Sequence, residues 1–310
     1  MTSVGISTYL EEKYGSDLLE HPPLITRARL EEKLANRDLV DQHWARISMT
    51  WASEVLRRPA LDIRSRYLAL LGEFTVTKSY RHLEDALRGA IAADVPIRDV
   101  LEAILLSQVY SGETVLEPAL ELFITVAREL DVLERLRDDQ LPLDGPLRDE
   151  VSERATWPAE LLGDERCERL TETFGWRGVS TGVHYRGTHH LDSLEFLAHL
   201  DVEWGRLWER FAYEGIYSRH VLDDKTRLLC TTADCLALGA GAAASARDHM
   251  EEALHFGNSP REMLELVFMT GVFFGFPGVT AARNVLVAIL TEQGRLEEVG
   301  LAPSIKHKSP

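Results

Sequence analysis

The sequence predicts an all-α fold, and three observations carry that prediction. No stretch alternates polar and apolar residues between turn residues over the length of a strand. Apolar positions in residues 100–106 recur at spacings of three and four, with Asp99 and Glu102 in the first turn, where the helix dipole favours acids. Ser259 followed by Pro260 is typical of a capping residue and the first helical position.

Length, composition and net charge limit the classes of protein to which this chain can belong. The 310 residues could form two domains, and 45% apolar residues are enough for a sizeable core. The net charge of −16 would repel a polyphosphate backbone, so nucleic acid is excluded as an expected partner. Residues 1–15 contain no apolar secretory segment, and we find no apolar run of the ~18 residues that a membrane helix needs. The three cysteines are few and odd in number, which does not suit a disulfide framework. Together these features predict a cytoplasmic protein without a membrane partner.

The chain repeats itself. A D-x-x-W-x-R motif and an L-D-x-[RK]-x-R motif each occur twice, and Val-Tyr-Ser-Gly in the first half corresponds to Val-Phe-Phe-Gly in the second. Counterparts lie 160 to 163 positions apart, a small drift over a long span. The motif pairs are 41–46 with 201–206, 61–66 with 222–227, and 109–112 with 272–275. We therefore expect two tandem copies.

The predicted boundaries follow from composition. The first copy occupies residues 1–137, and a linker rich in Asp, Arg and Pro follows at 138–158. The second copy occupies 159–300, and the polar tail 301–310 is expected to be flexible. Residues 175–190, with four glycines and three histidines, are predicted to form a loop inserted in the second copy.

Four ordered motifs connect the second copy to a known family. It resembles the carboxymuconolactone decarboxylase family of the alkylhydroperoxidase-D-like superfamily, which implies a tandem duplicated alkylhydroperoxidase-D-like helical bundle. The motifs are Leu-Leu-Gly-Asp at 161–164, Tyr-Glu-Gly-Ile-Tyr-Ser-Arg at 213–219 with the L-D motif after it, His-Met-Glu-Glu-Ala-Leu at 249–254, and Phe-Phe-Gly-Phe-Pro at 273–277. The first copy departs from the family: Ala86 stands where the histidine belongs and Thr114 where a proline belongs.

The resemblance implies a cofactor-independent, decarboxylase-like lyase acting on a small unsaturated or cyclic carboxylic acid or lactone, with His249 transferring the proton. Ala242 and Ser245 stand where the family has Arg and Glu, and where its peroxidase branch has two cysteines, so thiol peroxidase activity is excluded. The implied catalytic residues are His249, Tyr217 and His220, and the implied substrate-binding residues are Arg219, Arg227, Arg186, Tyr185 and Phe274.

Structural interpretations compete with several of these roles. His249 could be a core histidine that binds a backbone carbonyl, and Arg227 could form an ion pair with Asp223. Tyr185 and Arg186 are predicted to form part of a lid. A metal site at His184, His189 and His190 is a weaker alternative, because their spacing matches no strong ligand motif.

Rival functions also remain open. The chain could be a repurposed isomerase or cyclase, a metal-dependent oxygenase in secondary or aromatic metabolism, or a non-catalytic binding module. The family's ring-like assemblies imply a homotrimer, in which three chains build a pseudo-hexamer, or else a dimer.

Overall fold

The computed structural model describes residues 3–20, 24–138, 165–219 and 221–301. Within these ranges the chain forms helices and no strand, which confirms the all-α prediction. The Leu-Leu-Gly-Asp motif, nearly all of the predicted linker and residues 302–310 lie outside the described residues.

The first half consists of short and medium helices joined by brief turns. They are α1 (Ser3–Tyr14), α2 (Asp17–Glu20), α3 (Arg27–Val40), α4 (Gln42–Leu56), α5 (Ile63–Val76), α6 (Tyr80–Ala92), α7 (Ile97–Leu106), α8 (Gln108–Ser111), α9 (Glu113–Glu129) and α10 (Leu133–Asp138).

The second half is also helical, with one π-helix and two 3₁₀ turns. It contains α11 (Glu165–Phe174), α12 (Trp176–Arg186), α13 (Thr188–Leu200), α14 (Val202–Trp208), the π-helix (Glu209–Tyr217), α15 (Asp224–Leu238), a 3₁₀ turn (Gly239–Ala242), α16 (Ala243–His255), α17 (Pro260–Phe274), α18 (Phe276–Glu292) and a second 3₁₀ turn (Leu296–Val299).

Helices α5 and α15 pack against each other at the centre of the molecule. Both begin with the L-D motif, and its aspartate caps the helix: Asp62 accepts from the Ser65 amide and Asp223 from the Thr226 amide, each at 2.8 Å. One hydrophobic cluster, running from Leu24 to Leu296, contains buried residues of both halves. The two halves therefore share a core, although the duplication itself stays a prediction.

The second half has one residue more than the first between its two motifs. Helix α4 has 15 residues, whereas α14 and the π-helix that follows it have 7 and 9. A π-helix accommodates an extra residue by widening the helical turn, and such bulges are frequent at functional sites. The π-helix lies in the segment over which the spacing of the repeated motifs grows from 160 to 161.

The prediction of an inserted loop at 175–190 is wrong, because these residues form α12 and the start of α13. At Gly178 and Gly182 the missing side chain allows neighbouring side chains to pack closely against the helix. A Cβ at Gly178 would lie 2.9 Å from Glu209 Oε2, and a Cβ at Gly182 would lie 2.1 Å from His190 Nε2. Gly187, with φ of 55°, makes the break between the two helices.

One stretch, Asp224–His255, is long and apolar enough to cross a membrane by length and composition, contrary to the expectation from sequence. It comprises α15, a 3₁₀ turn and α16, and half of its apolar window is buried. Since α15 and α16 pack against each other, the stretch folds back on itself. Burial in the protein core accounts for its apolar character.

Candidate active site

His249 lies on α16 and is 6% exposed. Its Nδ1 atom is 2.7 Å from Oε2 of Glu252, one turn later on the same helix. A carboxylate at this distance accepts the Nδ1 proton and thereby fixes the tautomer, leaving Nε2 as the other functional atom. The alternative of a core histidine that binds a backbone carbonyl is wrong, since both ring nitrogens contact side chains.

The Nε2 atom of His249 is 3.0 Å from the hydroxyl of Tyr110, which comes from α8 in the first half of the chain. The Tyr110 hydroxyl forms a second, short hydrogen bond with the hydroxyl of Tyr217 on the π-helix. Four side chains thus form a continuous polar chain, from Glu252 through His249 and Tyr110 to Tyr217. The predicted catalytic residue Tyr217 is therefore linked to His249 through the Tyr110 hydroxyl.

Burial keeps both tyrosines of this chain protonated. It is the main cause that raises the pKa of Tyr110 well above its ordinary value, and the neighbouring Tyr217 adds to the shift. Burial likewise raises the pKa of Tyr217, where the nearby Tyr213 adds to it and the hydrogen bond to Tyr110 opposes it. Both hydroxyls are therefore proton donors over the physiological pH range.

Arg186, at the end of α12, holds the other side of the site. Its Nε atom is 3.2 Å from Glu252 Oε1 and its terminal nitrogen is 2.7 Å from Asp248. Burial works to lower the pKa of Arg186, but Tyr213 and Glu252 outweigh it and raise the pKa. Burial also raises the pKa of Tyr213, to about 12. Arg186 is thus a fixed cation that orients Glu252.

Tyr185 is not part of a lid, contrary to prediction. It is 1% exposed, and its hydroxyl donates to Asp224 Oδ1 at 2.7 Å. The neighbouring His184 approaches Asp224 Oδ2 at 2.9 Å. Because successive residues of α12 point into the core, the side chain of Tyr185 packs against Tyr217 and Phe256 and supports the site from behind.

Arg219 and Arg227, the predicted substrate-binding arginines, both bind other groups of the protein instead. Arg219 forms a bidentate ion pair with Glu102 of α7, with Nε 2.8 Å from Oε2. Arg227 is 2% exposed and donates to backbone carbonyls, including those of Ile216 and Leu222. It therefore binds the turn before α15 and not the side chain of Asp223. The terminal nitrogens of Arg227 and the guanidinium of Arg219 are thus bound by other groups of the protein.

Of the remaining predicted residues, those that the structure describes make no hydrogen bond or ring contact with His249. Phe274 packs against Phe74 and Phe273 in the core, and His220 lies outside the described residues. His184 contacts Asp224, His190 contacts Glu209 Oε2 at 3.2 Å, and His189 is exposed. In the described part of the chain no three His, Cys, Asp or Glu side chains come together as a ligand set. The alternative metal site at these three histidines thus has no geometric support.

Sequence reasoning missed Tyr110 and Glu252. Glu252 follows His249 by three positions, a spacing that places both on one helix face, so its role could have been proposed. Tyr110 lies 139 positions away, and its only signal is its place in the repeat two residues before Gly112.

Comparisons with known proteins match the part of the chain that contains His249, Glu252 and Tyr217. Residues 203–288 match the profile of the carboxymuconolactone decarboxylase family. A 4-carboxymuconolactone decarboxylase from Acinetobacter baylyi is 27% identical over 133 residues, which are 43% of this chain and 93% of that protein. An uncharacterized 15.0 kDa protein from Paracoccus denitrificans is 32% identical over 77 residues, which are 25% of this chain and 58% of that protein. Over residues 203–288, which carry the π-helix and His249, the chain is similar to the carboxymuconolactone decarboxylase family.

Proposed function

We propose that this protein is a cofactor-independent lyase that decarboxylates a small unsaturated or cyclic carboxylic acid or lactone. The observation that carries the proposal is the polar chain from Glu252 through His249 to Tyr110 and Tyr217. The name of the Acinetobacter relative supports the substrate class.

The chain of hydrogen bonds has one consistent direction. With Glu252 ionised, His249 donates through Nδ1 and accepts at Nε2 from the Tyr110 hydroxyl. The Tyr110 oxygen then accepts from Tyr217. A proton that enters at Nε2 makes an imidazolium that Glu252 stabilises, as the orienting carboxylate does in acid–base sites.

The reaction needs one proton at carbon. When the substrate's C–CO₂ bond breaks, CO₂ leaves and the electron pair spreads into the conjugated carbonyl, so the substrate is its own electron sink. In the proposed cycle His249 first takes up one proton from solvent at Nε2, so that Tyr110 no longer donates to that atom. The half-buried Tyr110 then gives its hydroxyl proton to the carbon, and the His249 imidazolium replaces that proton through Nε2, so each turnover consumes one solvent proton. The surrounding apolar core supplies a poorly solvated environment, in which a carboxylate loses CO₂ more readily.

The charged residues of this site come from other positions of the chain than those in the family pattern. Ala242 and Ser245 replace the family's Arg and Glu before the histidine, so neither position carries charge. The site nevertheless contains a glutamate and an arginine: Glu252 of α16 contacts His249, and Arg186 of α12 contacts Glu252. This replacement supports an altered site that has kept acid–base chemistry.

Replacing His249 with glutamine is expected to lower kcat for 4-carboxymuconolactone by about a hundredfold or more, because general acid–base catalysis contributes about 10²–10⁴. Glutamine keeps hydrogen-bonding capacity but cannot carry a proton between two atoms. The measurement is CO₂ release by the full-length protein, with circular dichroism to verify folding.

The matched control is His189→Gln, the same substitution at an exposed histidine of α13, which should leave turnover unchanged. Undiminished turnover in His249→Gln contradicts the role of His249. Conversion of the wild-type substrate without loss of CO₂ contradicts the lyase and favours an isomerase or cyclase. Binding without any conversion favours a binding module.

We also propose that the protein is a cytoplasmic homo-oligomer, with a homotrimer as the first expectation and a dimer as the second. Large apolar side chains are exposed at corresponding places on α4 and α14, namely Trp44 and Ile47 with Trp204 and Leu207. Exposed apolar residues that repeat on two matching helices are suited to ring closure between copies. Multi-angle light scattering is expected to give about three chain masses, and a monomer at micromolar concentration contradicts the proposal.

A further inference from the structure

A separate cavity of about 510 Å³ opens in the first half, between α3, α4, α6 and the end of α17. His249 and the other members of its polar chain do not line it. Its apolar wall comprises Ile25, Leu30, Met49, Trp51, Leu56 and Phe273. This volume and lining suit a small organic molecule with a flat apolar body.

The charge of the cavity is opposite to that of the protein. Arg29, Lys33, Arg37 and Arg81 line it, and no carboxylate does so among the described residues, although the chain carries a net charge of −16. Three of these cations are partly neutralised by two carboxylates that do not line the cavity. Arg29 and Lys33 share Asp85, at 2.9 and 2.8 Å, and Arg29 and Arg81 share Glu32. A concave site with surplus positive charge attracts anions.

Arg37 is the cation without a carboxylate partner in the described part of the chain. Its terminal nitrogen contacts Ser48 Oγ at 3.0 Å and Met49 Sδ at 2.8 Å, and its guanidinium lies 5.2 Å from the ring of Trp44. These are weak partners for a guanidinium, which presents five donors. Burial lowers the pKa of Arg37 from its ordinary value.

A second polar group in the cavity wall also lacks a partner. The hydroxyl of Ser53 is buried and makes no hydrogen bond in the described structure. Buried polar groups are normally satisfied, so the unpaired Ser53 hydroxyl is an exception among the residues that line the cavity.

We propose that this cavity binds a small organic anion, with one carboxylate held at Arg37 and an aromatic or unsaturated body packed against Trp51, Met49 and Phe273. The guanidinium supplies charge-assisted hydrogen bonds to the carboxylate. The apolar wall supplies burial for the body of the ligand. The site is distinct from that of the proposed lyase and does not depend on it.

The sequence correspondences suggest why this site binds without reacting. Phe273 occupies the position that Tyr110 has in the other half, so a ring without a hydroxyl closes the cavity. Ala86 stands where the family has its histidine, and His82, one turn earlier on α6, lines the cavity instead. The first half therefore has a ligand cavity without the polar chain that serves His249.

The experiment titrates full-length protein with 2-naphthoate and, separately, with the neutral 2-naphthamide, by calorimetry. Wild-type protein is expected to bind naphthoate at one site at least about tenfold more tightly than the amide, because only the acid offers a charged partner. Arg37→Gln should abolish that preference. Arg283→Gln, an exposed arginine on α18, is the matched charge control and should preserve it.

Two further variants make the test independent of Arg37. Ala52→Phe fills the cavity and should remove binding of both ligands, whereas His249→Gln should leave both unchanged. The proposal is overturned if wild-type protein shows no saturable binding at millimolar naphthoate. It is also overturned if Arg37→Gln and Ala52→Phe, folded by circular dichroism, bind as tightly as wild type, or if only His249→Gln loses binding.

Discussion

Replacing Glu265 with alanine is expected to lower the free energy of unfolding by about 3–5 kcal/mol, the range for breaking one partner of a buried ion pair. Glu265 Oε2 accepts three hydrogen bonds across the two halves of the chain, from the amides of Ala60 at 2.9 Å and Leu61 at 3.0 Å and from Arg66 at 2.8 Å. The substitution leaves Arg66, with a side chain 3% exposed, as an uncompensated buried charge.

Urea unfolding measured by circular dichroism tests this prediction. Glu298→Ala is the control, because Glu298 forms its ion pair with Arg295 at the surface and its loss should change the midpoint little. Glu265→Gln should be intermediate, since an amide oxygen can still accept from the two backbone amides. If Glu265→Ala and Glu298→Ala unfold alike, the cross-half ion pair does not stabilise the fold.

Two carboxyl groups buried between α5 and α15 are expected to make a contribution to stability that is lost as pH rises above about 4. Burial is the main cause that raises the pKa of both Glu73 and Asp234 well above ordinary values. The Thr270 hydroxyl donates to Glu73, and Asp234 packs against Gly72, where a Cβ would lie 2.2 Å from its carboxyl oxygen. No cation is paired with either carboxyl among the described residues.

The direction of this pH dependence follows from the linkage between protonation and folding. A carboxyl whose pKa is raised on folding stabilises the folded state below its unfolded pKa, and that contribution is lost as pH rises through the folded pKa. Asp234→Asn and Glu73→Gln remove the titration while keeping the shape. Each variant should therefore gain thermal stability relative to wild type, and the gain should increase from pH 4 to pH 9.

Thermal midpoints across that pH range, measured by calorimetry, provide the test. Glu117→Gln on the exposed side of α9 is the control and should show no pH-dependent gain. If the difference between wild type and Asp234→Asn is constant with pH, the carboxyl does not titrate with a raised pKa.

Local signals in the sequence predicted the helical class and the start of α17 at Ser259. Asp62 and Asp223 cap α5 and α15, and Ser259 forms a capping box with Glu262 at the start of α17. These interactions join residues three positions apart, so they can be inferred from spacing alone. His249 was also predicted, through the resemblance of its motif.

Long-range contacts could not be predicted in this way. The sequence motif of Arg219 suited anion binding, but the packing of the halves brings Glu102 against it from 117 positions away. The same packing brings Tyr110 to His249. Which of several polar residues meet depends on how the helices dock, and no local pattern encodes that arrangement.

The amino-acid sequence by itself determined the all-α class and the start of α17, because periodicity and capping act over a few residues, and its resemblance to a family motif pointed to His249. Only the tertiary structure decided that residues 175–190 are helical, since their glycines serve contacts with Glu209 and His190. It also decided that Glu252 and Tyr110 flank His249 while Arg227 binds backbone carbonyls. Burial and partner choice arise when distant helices pack together, which is why these roles emerged from the fold.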